Sequence, residues 1–257
     1  MKNKIFKRSF GAAALIAAVC ILTATTVFAA WYLTKPSEIA NLIGDQALSA
    51  AFESDTAVNI NKSITNGGYI FTLLATVSGE DISDMPYYVD GEISNSRTYA
   101  VAAVQNADGS PMSIEAVGGF LATPLIKGLE PWKYNIVTLN GGKFATTIDG
   151  VLYLVVECED ITAFADRGLY FAICTDAFVS NNVFSFDKGT GEISVNPSYD
   201  GASAVFDLPI DKALADPEKA AKFLENKQIE SVTVLSTDGG ILWESPKEPA
   251  YLFSEED

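Results

Sequence analysis

Val151-Leu152-Tyr153-Leu154-Val155-Val156-Glu157 is apolar at odd and even positions alike. Alternate side chains of an extended chain point to opposite faces, so Leu152, Leu154 and Val156 look one way and Val151, Tyr153 and Val155 the other. A strand apolar on both sides needs cover on both sides, which makes it a central strand between two layers. Upstream, Tyr69 to Val77 has a period of two, with Tyr69, Phe71, Leu73, Ala75 and Val77 on one face and Thr72 and Thr76 on the other. Asn66-Gly67-Gly68 reads as a tight turn, so Ala57–Lys62 and Tyr69–Val77 are expected to form a hairpin. Further strands are predicted over Thr98–Gln105, Leu169–Thr175, Ala204–Leu208 and Ile229–Leu235. Ile241–Glu244 follows the Asp238-Gly239-Gly240 turn and completes a last hairpin.

Helices are few. Lys35-Pro36-Ser37-Glu38 starts one, with Ile39, Leu42 and Ile43 at helical spacing and Gly44 as its stop. Asp45 caps a second through Leu48, Ala51 and Phe52. A short capped helix is predicted from Asp160 to Gly168. Another starts at Asp216-Pro217-Glu218, with Ala220, Ala221, Phe223 and Leu224 as its apolar stripe. Many short strands with Gly-rich turns predict a mainly β fold, an immunoglobulin-like antiparallel sandwich with short helical insertions.

All basic residues before position 35 fall within the first eight: Lys2, Lys4, Lys7 and Arg8. Ser9 to Thr34 is then uncharged and rich in Ala, Leu, Ile and Val, long enough to cross a bilayer at about 20 apolar residues per span. The basic flank stays cytoplasmic and the remainder lies outside. Trp31 and Tyr32 close the run, where aromatic rings favour the membrane interface. The competing reading is a cleaved signal peptide, with Val27-Phe28-Ala29 before Ala30 as the cleavage site and a secreted product. Val19 before Cys20 argues against a lipoprotein. The expected organisation is a cytoplasmic tail (1–8), an anchor or uncleaved signal (9–34), a helical stalk (35–56) and an extracytoplasmic β-rich domain (57–257).

The 257 residues carry 17 Lys+Arg, 33 Asp+Glu and no His, for a net charge of −16. The lack of His excludes imidazole triads and His-ligated zinc. Three Cys are too few for a disulfide scaffold, and the acidic balance opposes nucleic-acid binding. Ser185-Phe186-Asp187-Lys188 matches the Ser-x-x-Lys of Ser-Lys hydrolases, but its aromatic, turn-forming setting separates the two side chains. Glu80, Asp81, Asp84, Asp90 and Glu92 crowd one polar loop between Asp81 and Asn95. Oxygen-rich loops hold calcium outside cells, but this spacing is not an EF-hand, and a solvated acidic face is the preferred reading. Pro131-Trp132-Lys133-Tyr134, Tyr87-Tyr88 and Trp243 are read as core aromatics ahead of a sugar- or protein-binding platform. Cys158 and Cys174 are read as buried free thiols. No catalytic, cofactor-binding or metal-binding residue is assigned, and no cofactor is expected.

Phe28-Ala29-Ala30-Trp31-Tyr32-Leu33-Thr34-Lys35-Pro36-Ser37-Glu38-Ile39-Ala40 resembles the anchor-to-stalk junction of an uncharacterised family of Gram-positive bacterial exported proteins. Ala57-Val58-Asn59-Ile60-Asn61, Gly67-Gly68-Tyr69, Tyr99-Ala100-Val101, Asn106-Ala107-Asp108-Gly109-Ser110-Pro111-Met112 and Phe164-Ala165-Asp166-Arg167-Gly168-Leu169-Tyr170 carry it onward. That family is similar to the extracytoplasmic domain of unknown function of anti-sigma-factor-like single-pass membrane proteins. The resemblance implies an outer domain that senses or interacts. Met1–Arg8 is too short to bind a sigma factor, so only the outer-domain half is expected here. The expected function is a non-enzymatic, membrane-tethered domain for an unknown protein or cell-surface ligand. The alternatives are a carboxylate-dependent hydrolase and a carbohydrate-binding module.

Overall fold

The structure, a computed structural model, describes residues 33–89, 92–227, 232–235 and 241–245. Two helices come first, α1 (Pro36–Leu42) and α2 (Gln46–Glu53). Next come β1 (Val58–Asn66), β2 (Tyr69–Glu80), the short β3 (Tyr88–Val89) and β4 (Glu92–Ile93), and β5 (Ser96–Asn106). β6 (Leu121–Ile126), β7 (Gly142–Ile148), β8 (Val151–Glu159) and β9 (Leu169–Cys174) follow. The chain continues through β10 (Phe184–Phe186), β11 (Ile193–Val195), β12 (Ser203–Leu208), α3 (Pro217–Asn226), β13 (Val232–Leu235) and β14 (Ile241–Ser245). The fold is mainly β with antiparallel sheets. One has five strands in the order β1-β2-β5-β8-β7, and another has three, β12-β9-β6.

The two-faced reading of 151–157 describes what β8 does. It lies between β5 and β7. Leu152, Leu154, Val156 and Cys158 enter the core shared with Phe171, Ile173, Ala204 and Phe206 of the three-stranded sheet. Val151, Tyr153 and Val155 enter a second core on the other face, beneath Ile39, Ala40, Leu48, Ala51 and Phe52 of α1 and α2. Each large apolar side chain buried there contributes roughly 1.5–3 kcal/mol. A third cluster covers the far side of the three-stranded sheet, where Tyr170, Ala172 and Cys174 meet Val183, Phe184 and Ile193.

β1 and β2 form the expected hairpin across Gly67 and Gly68. Both glycines have positive φ, +56° and +85°, as a two-residue turn of this hand requires. Position 67 also has no room for a side chain, because an added Cβ would lie 2.5 Å from that of Ala202.

β2 departs from the predicted single apolar face. Its pairing with β5 shifts between Leu73 and Ala75, leaving Leu74 as the extra residue of a bulge. Phe71 and Leu73 therefore point into the inter-sheet core while Leu74, Ala75 and Val77 point beneath the helices. One inserted residue exchanges the faces of everything after it.

The helix predicted from Asp160 to Gly168 is reduced to a single 3-10 turn, Thr162–Phe164. Asp160 accepts from the Thr162 N–H and hydroxyl, at 2.9 and 2.7 Å, and Gly168 turns the chain at φ +102°. The chain passes between sheets here, so tight turns are favoured over a helix. α3 has the predicted cap, with Asp216 accepting from the Glu218 and Lys219 N–H groups, but Ala221 is exposed and its stripe is Ala220, Phe223 and Leu224. Among the described residues no helix is long and apolar enough to cross a membrane. The predicted anchor at 9–34 falls outside them apart from Leu33 and Thr34.

Candidate functional site

The outer face of the five-stranded sheet changes character along β5 and β8. Alternation carries Val101 and Tyr99 outward and then, two residues on, Arg97. On β8 it carries Val155 and then Glu157. Tyr99 pairs with Glu157 and Arg97 with Glu159, so the Arg97 guanidinium reaches Glu157 diagonally. The two form an ion pair in which each side chain is at most 4% exposed.

The turn before β7 is shaped around this pair. Arg97 Nη2 donates to the Asn140 carbonyl at 2.7 Å, and Asn140 adopts φ +46°. Glycine is required next. A Cβ on Gly141 would stand 2.4 Å from the Glu157 carbonyl oxygen, and one on Gly142 would stand 2.9 Å from Glu157 Oε1. Burial pushes the Glu157 carboxyl above the usual carboxylate range, against the opposing pull of Arg97 and the Gly142 N–H.

Residues 81–89 and 92–95 close over this end. Asp45 anchors them. Its Oδ1 accepts from the Leu48 N–H at 2.9 Å and from the Asp84 N–H at 3.0 Å, and the Ser83 hydroxyl donates to Oδ2. Asp84 returns the contact, Oδ2 accepting from the N–H groups of Gln46 and Ala47 at 3.0 and 2.9 Å. Two aspartates thus satisfy free donors of the first turn of α2, where negative charge is also favoured by the helix dipole. The Tyr87 ring lies over Arg97, 3.8 Å from the guanidinium carbon. Burial raises the phenols of Tyr87 and Tyr99, with Glu157 adding to both. Between loop and sheet lies a pocket of about 190 Å³, lined by Asp81, Ser83, Tyr87, Ile93, Arg97 and Tyr99 among others.

No family model, curated protein or solved structure matches the chain. The site therefore stands on its own geometry.

Of the sequence candidates, Tyr87, Asp81 and Asp84 reach this place. Asp84 is committed to α2, and Asp81 is exposed on the pocket wall. Asp90 and the Glu92 side chain lie outside the described residues. Among the described residues no group of three or more Cys, Asp or Glu side chains converges as a metal-ligand set. Trp132 packs edge-on against Phe186 at 6.2 Å, whereas Tyr87 packs over Arg97. The Trp243 side chain is outside the described residues.

Ser185 sits in β10, whereas Lys188 extends from the following turn with its ammonium 4.0 Å from Glu130. Cys158 and Cys174 are free and buried, the first in the inter-sheet core and the second in the cluster beyond the three-stranded sheet. Burial pushes the Cys174 thiol up to about 12. Sequence reasoning missed Arg97, Glu157 and the Asn140-Gly141-Gly142 turn. The available signal was a charged residue at the end of each of two otherwise apolar strands, since buried charges are rare unless paired.

Proposed function

We propose that the chain is a membrane-tethered extracytoplasmic domain that binds or senses a ligand, with no chemical transformation of its own. The observation that carries this reading is the junction between the neutral run and the folded body. Leu33 packs against the outer core, and the Thr34 N–H donates to the Tyr153 hydroxyl at 2.9 Å. Tyr153 is itself 1% exposed at the centre of β8. A span ending at Thr34 would enter the domain with no slack between them, so a change in the domain would be felt by the span.

The immunoglobulin-like form of the sandwich belongs to the same proposal, and strand order supports it. β2-β5-β8-β7 and β6-β9-β12 occupy the chain positions of strands A-B-E-D and C-F-G in a constant-type immunoglobulin sandwich, with β1 added at one edge. The resemblance to the outer domain of anti-sigma-factor-like membrane proteins points the same way.

The test is thiol labelling of intact cells. Glu218 is exposed on α3, whereas Cys158 and Cys174 are buried. A Glu218→Cys variant is expected to react with a membrane-impermeant maleimide while the parent chain does not. Reaction only after lysis would overturn the proposal.

A further inference from the structure

Arg97 is incompletely satisfied. Its Nη2 serves both Asn140 and Glu157, but Nε and both hydrogens of Nη1 have no acceptor, although these atoms are shut away from solvent. Leaving buried donors unpaired is costly, and an orphaned guanidinium asks for an explanation. The Tyr87 ring covers the face of the guanidinium and leaves the in-plane N–H groups unmet. The same residue lines the pocket beneath loop 81–95.

The charges around the pocket narrow what would fit. Glu157 already neutralises Arg97, Asp81 and Asp84 add negative charge, and the chain carries −16. A simple anion would be repelled. A simple cation would leave the Arg97 donors unmet. A zwitterion avoids both penalties, because its acceptor end answers Arg97 and its ammonium answers a carboxylate. Asp84 is spent on α2, whereas Asp81 makes no side-chain hydrogen bond and stands exposed on the pocket wall. About 190 Å³ is small for a ligand site and suits a molecule of a few heavy atoms.

We propose that this pocket binds a small zwitterion of the α-amino-acid class, its carboxylate on the free donors of Arg97 and its ammonium on Asp81. Ile82, Met85 and Ile93 supply the apolar wall for a side chain, and Tyr87 stays over the guanidinium face while the carboxylate takes the in-plane donors at its edge. The proposal names the ligand of the sensing domain inferred above and rests on that reading. Ligand binding by purified protein and labelling of intact cells fail independently of each other.

The test is calorimetric titration of the purified full-length protein in detergent with each common α-amino acid, and with acetate and methylamine as half-ligands. At least one amino acid is expected to bind saturably at one site, with both half-ligands weaker by about tenfold or more. Asp81→Asn keeps a residue that tolerates the positive φ of this position, 52°, so the fold should be unchanged. It is expected to weaken binding by about tenfold with the same melting temperature as the parent. Arg97→Lys should abolish binding; if that variant does not fold, Asp81→Asn and the half-ligands decide. No saturable binding of any amino acid at millimolar concentration, or equal affinity in Asp81→Asn, would overturn the proposal and leave water as the partner of Arg97.

Discussion

The two faces of the five-stranded sheet are built from the same strands and do different work. The inner face, closed by the three-stranded sheet, is apolar from Phe71 and Leu73 on β2 through Ala102 and Val104 on β5 to Leu154 and Val156 on β8. The outer face begins in the same way beneath α1 and α2 and ends at Arg97, Glu157, Tyr87 and Tyr99. Apolar burial is non-directional and strengthens the fold wherever it occurs. A buried ion pair adds little net stability, since desolvation offsets its attraction, but it holds groups in fixed geometry. The contrast teaches that the inner face carries the fold, whereas the polar end of the outer face holds the groups on which the proposed ligand binding rests.

The largest expected effect falls on the inner face. Phe171 is fully buried between the sheets, and Phe171→Ala should cost about 4 kcal/mol of unfolding free energy in a denaturant titration, in line with other large cavities. A loss of well under half that value would show that the inter-sheet core is not tightly packed, and the contrast would break. Next comes Glu157→Leu, which strands a buried guanidinium and should cost about 3 kcal/mol in the same titration. A neutral outcome would mean that Arg97 is solvated in the native state.

A smaller effect sharpens where the two faces part. Asp45→Ala removes a helix cap and the anchor of loop 81–95 together, at a cost of about 2 kcal/mol. Hydrogen exchange should then quicken in α2 and leave the β5 amides unchanged. The smallest effect concerns acid. Asp160 is partly buried, which alone would raise its pKa, but hydrogen bonds from Thr162 and Ser96 and the nearby Lys219 ammonium bring it below the usual aspartate value. Its contribution is present above the unfolded-chain value of about 3.9 and is lost as pH falls through the lower folded value. Asp160→Asn should therefore make the acid limb of the stability profile less steep, measured by melting temperature across that range.

How much of this was legible before the structure depended on whether neighbours along the chain or across the sheet decided it. The two-faced character of 151–156 was legible because both parities are apolar. The Gly67-Gly68 hairpin and the caps at Asp45 and Asp216 were legible because turns and caps are local chemistry. The bulge at Leu74 left no trace, since Leu73 and Leu74 are both apolar and only the pairing with β5 tells them apart. β6 was hidden by Pro124, which is tolerated because β6 is an edge strand of its sheet. β7 is a short edge strand between glycine turns, with little periodicity to read. The candidate site was the least legible part. Arg97 and Glu157 meet only through the register of β5 with β8, and Tyr87 arrives from a loop read as solvated.

The contrast between the faces is tested most directly by replacing the ion pair as a unit. In an Arg97→Met/Glu157→Leu double variant no charge is left unpaired, and buried pairs exchanged for apolar residues of similar volume are often neutral in stability. The account predicts unfolding free energy within about 1 kcal/mol of the parent together with loss of amino-acid binding. A double variant as unstable as Phe171→Ala, or one that still bound the ligand, would contradict it.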